Sequence, residues 1–424
     1  MTPLRHARAQ AANTIRIGVL NDQSGLYRDL TGPGSTQAVR LAVQESGITT
    51  RGVNVEVAEA DHQNKPDVGS TVVRQWLDRD GFDVIVDVPT SSVALAVNTL
   101  CRERNKVLLV SGAATSDLTG SACSPNTIHW TYDTWMLARG TGGAMVAAGG
   151  RTWFFITADY AFGHALERDV SNFVRAAGGE ILGSVRTPFP GTTDFSSFLV
   201  QAQRSRAQVI GLANAGGDTI NSIKQAAEFG ITRRGQKLAG LLVFITDVHA
   251  LGLQTAQGLV LTATFYWDLN DNTREFTRRL GRMPNDVRPS MVHAGCYSAV
   301  LHYLKAVEAM GVQAAKASGA AVVERMKAME TDDICFGKGT IRAGRPQDPS
   351  RLPVRGEVAA GIPLPVGLLQ APADHPGRSG LPAARRGRLP VGAHLTRVAE
   401  AAPAASALAP PREFRPFRQR SSRA

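Results

Sequence analysis

The feature that most constrains this chain is an alternation of short apolar runs with helical patterns, and it occurs twice. Runs at 15–20, 53–58, 83–88 and 107–111 read as strands, with helical spacing at 34–47, 66–79 and 92–105 between them. The loops are short. A β-α-β-α order of this kind folds into a parallel sheet covered by helices on both faces. The series then restarts, with strand runs at 151–157, 181–187, 208–213 and 241–245 and helical patterns at 162–177, 195–204 and 217–230. Two such runs predict an α/β protein with two doubly wound lobes, not one sheet of eight strands. A further strand at 259–265 and helices at 272–280, 291–310 and 314–330 add no new repeat. They predict a chain that crosses back to complete the first lobe. Lobe 1 is then 14–133 and 264–342, lobe 2 is 134–263, and a hinge leaves a cleft between them.

One stretch is the sharpest within this pattern. Asp83-Val84-Ile85-Val86-Asp87-Val88 is a buried parallel strand by its β-branched content, and Pro89 stops it. Val93, Ala96, Val97, Leu100 and Cys101 then line one face of a helix. Ser91 or Ser92 is placed to cap that helix, since a serine oxygen accepts an orphan N–H of the first turn. Free N–H groups, two hydroxyls and a positive helix end meet at this turn, a setting for a carboxylate or another small polar group. A capped turn that binds nothing is the alternative.

Charge narrows the function classes. Of the net +11, +8 lies in residues 343–424, which hold 13 Arg, no Lys and 5 acids, so the first 342 residues carry only +3. The body is near neutral, and the basic tail shows no pattern of a folded scaffold, so no nucleic-acid partner is expected. The same tail holds 13 of the 22 prolines and no periodicity. It reads either as a disordered Pro/Arg-rich tail or as out-of-frame translation of a GC-rich gene, and its lack of lysine favours the second. No apolar run of 18 residues occurs, so no membrane-spanning helix is expected. Met1–Gln10 is basic and ends in Ala7-Arg8-Ala9-Gln10, similar to a signal-peptidase site without its apolar core. Residues 1–13 read as the remnant of an export segment or as a disordered arm. The four cysteines form no C-x-x-C pair. Cys101 and Cys123 are near enough in sequence to pair in an oxidising compartment, or to stand as two isolated thiols. The histidines lack metal-ligand spacing, and no dinucleotide, P-loop or nucleophile-elbow motif is present. Neither a metal nor a cofactor is expected.

Six stretches in order resemble the type I periplasmic solute-binding proteins of the branched-chain amino acid ABC transporter family. Ile15–Leu20 with Ser24-Gly25-Leu26-Tyr27 is similar to the family's first strand and loop. Val88-Pro89-Thr90-Ser91-Ser92 resembles its ligand turn, and Ser111-Gly112-Ala113-Ala114-Thr115 its second ligand loop. Asp159-Tyr160-Ala161-Phe162-Gly163, then Ala213-Asn214-Ala215-Gly216-Gly217-Asp218, then Phe336-Gly337-Lys338-Gly339-Thr340, resemble later landmarks. The resemblance spans about 13–345 and stops where the tail begins.

It implies capture of a small amino acid or related carboxylate without catalysis. It implies delivery to an ABC permease, a periplasmic location and a monomeric state. Ser91, Ser92, Ala113 and Thr115 would hold the ligand carboxylate from lobe 1, with Tyr27 beside them. Tyr160, Asn214 and Ala215 would close from lobe 2, and Asp247 would pair with a ligand ammonium or simply end a strand. Tyr27, Trp130, Tyr132 and Trp135 form an aromatic group suited to a flat acid or to interlobe packing. A cytoplasmic amino acid or amide sensor on the same fold is the alternative function.

Overall fold

A computed structural model describes residues 13–256 and 259–342 together with the strand Gly367–Gln370. The first sheet uses β1 (Thr14–Asn21), β2 (Asn54–Asp61), β3 (Val84–Asp87), β4 (Val107–Val110) and β5 (Thr127–His129). Helices α1 (Gly32–Ser46), α2 (Pro66–Asp78) and α3 (Ser91–Glu103) supply the crossovers among the first four strands. The strand order is β2-β1-β3-β4-β5, all parallel. Every residue of β3 and β4 is buried, as expected where helices cover both faces. The order reverses between β1 and β3. The chain leaving β1 and the chain leaving β3 therefore diverge, and the crevice at that point is where open α/β sheets take ligands.

The second sheet repeats the scheme with β6 (Thr152–Ala158), α4 (Ala161–Ala176), β7 (Glu180–Thr187), α5 (Ser196–Arg204), β8 (Val209–Ala213), α6 (Gly217–Glu228) and β9 (Lys237–Gly240). Its order is β7-β6-β8-β9, again parallel. Helix α7 (Ile245–Leu251) follows, then β10 (Val260–Ala263), α8 (Asp271–Leu280) and the long α9 (Met291–Met310). Helices α10 (Val312–Ala317) and α11 (Gly319–Lys327) and the hairpin β11 (Glu330–Asp333)–β12 (Gly337–Thr340) complete the main body.

The returning segment is bonded to the first sheet's lobe. Ser290 Oγ donates to Leu30 O (2.8 Å), Gln37 Nε2 to Leu280 O (2.6 Å), and Tyr297 OH to the Glu45 carboxylate (2.6 Å). Helix α9 is apolar nearly all round and buried over most of its length, so it acts as core for that lobe. No helix among the described residues is long and apolar enough to cross a membrane.

Four expectations are corrected. The apolar run 241–245 is not a strand: β9 ends at Gly240, and the Asp247 carboxylate takes the Phe244 N–H (2.9 Å) to start α7. Those apolar residues are buried by packing rather than by sheet pairing. The helix expected over 314–330 breaks at Ser318, whose Oγ accepts from Ala321 N (3.2 Å) and caps α11. The Gly319 N–H turns instead to Asn105 O (2.8 Å). Neither Ser91 nor Ser92 caps α3. The helix starts at Ser91 after Thr90, and no side chain caps it. Cys101 and Cys123 are both free thiols rather than a disulfide. Cys101 is packed inside an apolar cluster under α3, where burial pushes its thiol up to about 12.

The readings of residues 1–12 as an export remnant and of 343–424 as a Pro/Arg tail lie outside the described residues, apart from one strand. Within that tail, β13 (Gly367–Gln370) pairs antiparallel with β10.

Candidate functional site

The site begins with the backbone at the end of β3. Asp87 and Val88 both adopt positive φ, +82° and +49°. That conformation is rare for any residue with a side chain and strained for a β-branched one. It turns the chain sharply at Pro89 and aims the start of α3 into the crevice. Thr90 and Ser91 are fully buried there. The first-turn N–H groups of Ser91, Ser92 and Val93 lie outside the helix's own hydrogen-bond ladder and have no side-chain cap.

The loop after β4 packs against this turn. Gly112 has no room for a side chain: a Cβ there would sit 2.7 Å from Pro89 Cα and 2.9 Å from the Asp87 carboxylate. Three of the loop's carbonyls are engaged. Tyr132 OH donates to Gly112 O (2.6 Å), His129 Nε2 bonds Ala113 O (2.7 Å), and Thr134 N–H donates to Ala114 O (2.7 Å). His129 is pushed down to about 4 by burial, so it is neutral and serves as a fixed donor. Thr115 N–H donates to Ser91 Oγ (3.3 Å), tying loop to turn.

Asp22 organises the third edge. Its carboxylate accepts from Ser24 N, Gly25 N and Tyr27 N at 3.2, 2.6 and 2.9 Å, and from Asn64 Nδ2 at 2.7 Å. Thr90 Oγ1 in turn donates to Asn64 Oδ1. One carboxylate thus sets the loop that carries Tyr27 and, through Asn64, the turn at Pro89–Ser91.

The opposite wall comes from the second sheet. Tyr160, Phe162, Ala215, Leu242 and Phe244 face Tyr27, Leu30, Pro89, Gly112, Ala114 and Tyr132 across a narrow cleft. The two lobes are closed on one another. The seam is direct. Tyr27 OH and Tyr160 OH share a 2.5 Å hydrogen bond, Tyr160 stacks on Phe189 at 3.9 Å, and Gly217 N–H donates to Leu26 O (3.3 Å). None of the residues lining the space is a lysine, arginine or histidine.

The structure brings Tyr27, Tyr160 and Ala215 onto the cleft; Ser91, Ala113 and Thr115 do not line it but are buried close in the chain to its lining residues Pro89, Gly112 and Ala114, with half-buried Ser92 on the first turn of α3. Asn214 is turned inward, tied to Ser222 Oγ (3.1 Å) and Thr219 Oγ1 (2.8 Å). Asp247 spends its carboxylate on the start of α7, and burial raises it to about 7. Trp130 donates to Ser298 (3.1 Å) in the lobe interior, and Trp135 packs edge-on against Phe173.

Leu242 and Phe244 were hidden by their reading as a strand. Asp22 and Asp218 carried no periodic signal. Asp218 is 3 % exposed, in the first turn of α6, and its Oδ2 has no partner. Burial alone pushes it up to about 7.

A family model for periplasmic binding proteins matches residues 14–352. The chain belongs to the periplasmic binding protein family. A periplasmic binding protein from Burkholderia mallei shares 48 % identity over 78 % of this chain and 86 % of its own, with a TM-score of 0.74. A branched chain amino acid ABC transporter periplasmic ligand-binding protein from Burkholderia xenovorans shares 38 % over 78 % and 87 %, at 0.66. A solute-binding protein of an ABC transporter from R. palustris, solved in complex with benzoate, has the same fold at 22 % identity over 78 % and 90 %, at 0.70. No curated protein matches. The two-lobed fold expected from the sequence is therefore that of a periplasmic binding protein with a small-molecule cleft.

Proposed function

We propose that this binding protein captures a small carboxylic acid between its lobes in the periplasm and delivers it, as a monomer, to the permease of an ABC importer. The observation that carries the reading is the buried, uncapped start of α3. Its N–H groups and the Ser91 and Ser92 hydroxyls offer donors and a positive helix end, while no cationic side chain lines the cleft. A carboxylate is the ligand group that such a set satisfies. Two of the structural relatives are named for ligands with that group, a branched chain amino acid and benzoate.

In this reading lobe 1 (14–133 and 264–342) binds first through Ser91, Ser92, Ala113 and Thr115. Lobe 2 (134–263) then closes about the hinge, bringing Tyr160 and Ala215 onto the ligand opposite Tyr27. Asn214 supports the loop that carries Ala215. Asp247 orders the Leu242–Phe244 wall rather than meeting an ammonium. The protein binds and releases its ligand unchanged.

Thermal unfolding in the presence of leucine, other branched-chain amino acids and benzoate tests this. A ligand at 100 times its dissociation constant adds about 2.7 kcal/mol of stability. A clear upward shift with at least one carboxylate is expected. No shift with any of them overturns the reading.

A further inference from the structure

The acids around the cleft differ in one respect. Asp22 is saturated by Asn64 and three backbone N–H groups. Asp247 is engaged by Phe244 N–H. Asp169, where lobe 2 meets the Ser116 loop, accepts from Ser116 Oγ (2.8 Å), Thr134 Oγ1 (2.6 Å) and Arg168 Nε (3.0 Å). Asp87 lies behind the turn against Gly112, where one oxygen accepts from Asn21 and Ser35 and Cys296 adjoin the carboxyl. Asp218 sits on the lobe-2 side of the seam with a buried oxygen that nothing satisfies.

The backbone around it fixes its position against lobe 1. Gly216 takes φ +55°, and a Cβ there would lie 2.6 Å from Leu26 O and 2.9 Å from Tyr27 Cδ1. Only a glycine permits that approach, and Gly217 N–H then reaches Leu26 O. Asp218 follows immediately, and its charge is felt by both Tyr27 and Tyr160. A buried acceptor left unpaired is costly in the empty protein and is satisfied only when something brings it a donor.

Resting on the carboxylate reading above, we infer that Asp218 is a specificity-determining residue, accepting a hydrogen bond from a ring hydroxyl of a hydroxylated aromatic carboxylate. The walls carry the ring: Tyr27, Tyr132, Tyr160, Phe162 and Phe244 present aromatic faces and edges. The donor count selects a hydroxyl. An ammonium brings three N–H groups. Tyr132 OH donates to Gly112 O, Tyr27 and Tyr160 bond each other, and none of the three bonds Asp218, so its orphan acceptor is left to a ligand donor.

Titration calorimetry on the full chain tests this with benzoate, 3-hydroxybenzoate, 4-hydroxybenzoate and L-leucine. In the unmutated protein one of the hydroxybenzoates binds about tenfold or more tighter than benzoate. Asp218→Ala brings that ratio close to one. Asp218→Asn, which keeps a neutral acceptor in place, gives a ratio between the two, a graded order that misfolding does not produce. Circular dichroism checks that both variants are folded. Equal affinity for benzoate and both hydroxybenzoates, or a ratio unmoved by Asp218→Ala, overturns the inference while leaving the carboxylate reading intact. L-Leucine bound in preference to all three and lost in Asp218→Ala also overturns it, in favour of an ammonium. No binding of any of the four overturns both.

Discussion

The two jaws of the cleft are built on different principles. The lobe-1 jaw is built around backbone, with a strained turn, a helix start and a loop with the Gly112, Ala113 and Ala114 carbonyls each held by a named donor, beside the Tyr27 and Tyr132 side chains. Its geometry exists before any ligand arrives. The lobe-2 jaw is side chain: Tyr160, Phe162, Phe244, Leu242 and Ala215, with the unsatisfied Asp218 three residues beyond Ala215. In the proposed function the first jaw recognises a group common to many solutes, and the second distinguishes among the solutes that carry it. A change in the first should therefore remove binding generally, while a change in the second should alter preference.

The largest effect should come from Gly112→Val. The new side chain collides with Pro89 and Asp87, and overpacking of this kind costs about 1–3 kcal/mol of stability. Chemical unfolding reads that loss, and calorimetry should find no carboxylate bound.

Asp218→Asn comes next and has the opposite sign for stability. The folded carboxyl sits at about 7 against an ordinary 3.8, so the folded state holds the extra proton between those values. Stability is lost as pH rises from about 4 to 7, and the loss is complete above 7. The amide does not titrate. The variant should therefore be more stable than the parent by about 1–3 kcal/mol at pH 8 and nearly equal to it at pH 4, as followed by thermal unfolding across pH. A stability gain alongside a loss of ligand preference would mark Asp218 as kept for function.

Ser91→Ala with Ser92→Ala should weaken carboxylate binding about tenfold, the worth of a charge-assisted hydrogen bond, and shift unfolding by about 1 kcal/mol or less. Tyr160→Phe should act least. It removes the hydroxyl bonded to Tyr27, costs about 0.5–1.5 kcal/mol of closure, and should appear in small-angle scattering as a larger radius for the unliganded protein.

The contrast between jaws also explains what was legible in the sequence. Lobe 1's turn announces itself locally, because a β-branched run, a proline, two serines and a helical face fall within 23 residues. The parallel order of both sheets follows from the same short-range alternation. The lobe-2 jaw is assembled from distant pieces, and its key residues look ordinary in isolation. Leu242 and Phe244 sit in an apolar run that periodicity assigns to a strand, and only the Asp247 carboxylate at Phe244 N–H shows why it is a loop. Asp218 resembles any acid in the first turn of a helix, where the positive end of the dipole favours it. Its significance lies in what it lacks, a partner, and that is visible only in three dimensions. Asp22 is the converse: four hydrogen bonds converge on it from a loop and from Asn64, 42 residues away.

The central claim, that lobe 1 holds a carboxylate by backbone donors, is tested most directly by comparing benzoate with benzamide in titration calorimetry on the full chain. The two have the same ring and differ in the group presented to the turn. The account predicts that benzoate binds and that benzamide binds at least about a hundredfold more weakly, because a helix start and hydroxyl donors favour the anion. Equal affinity for the two, or preference for the amide, would contradict it.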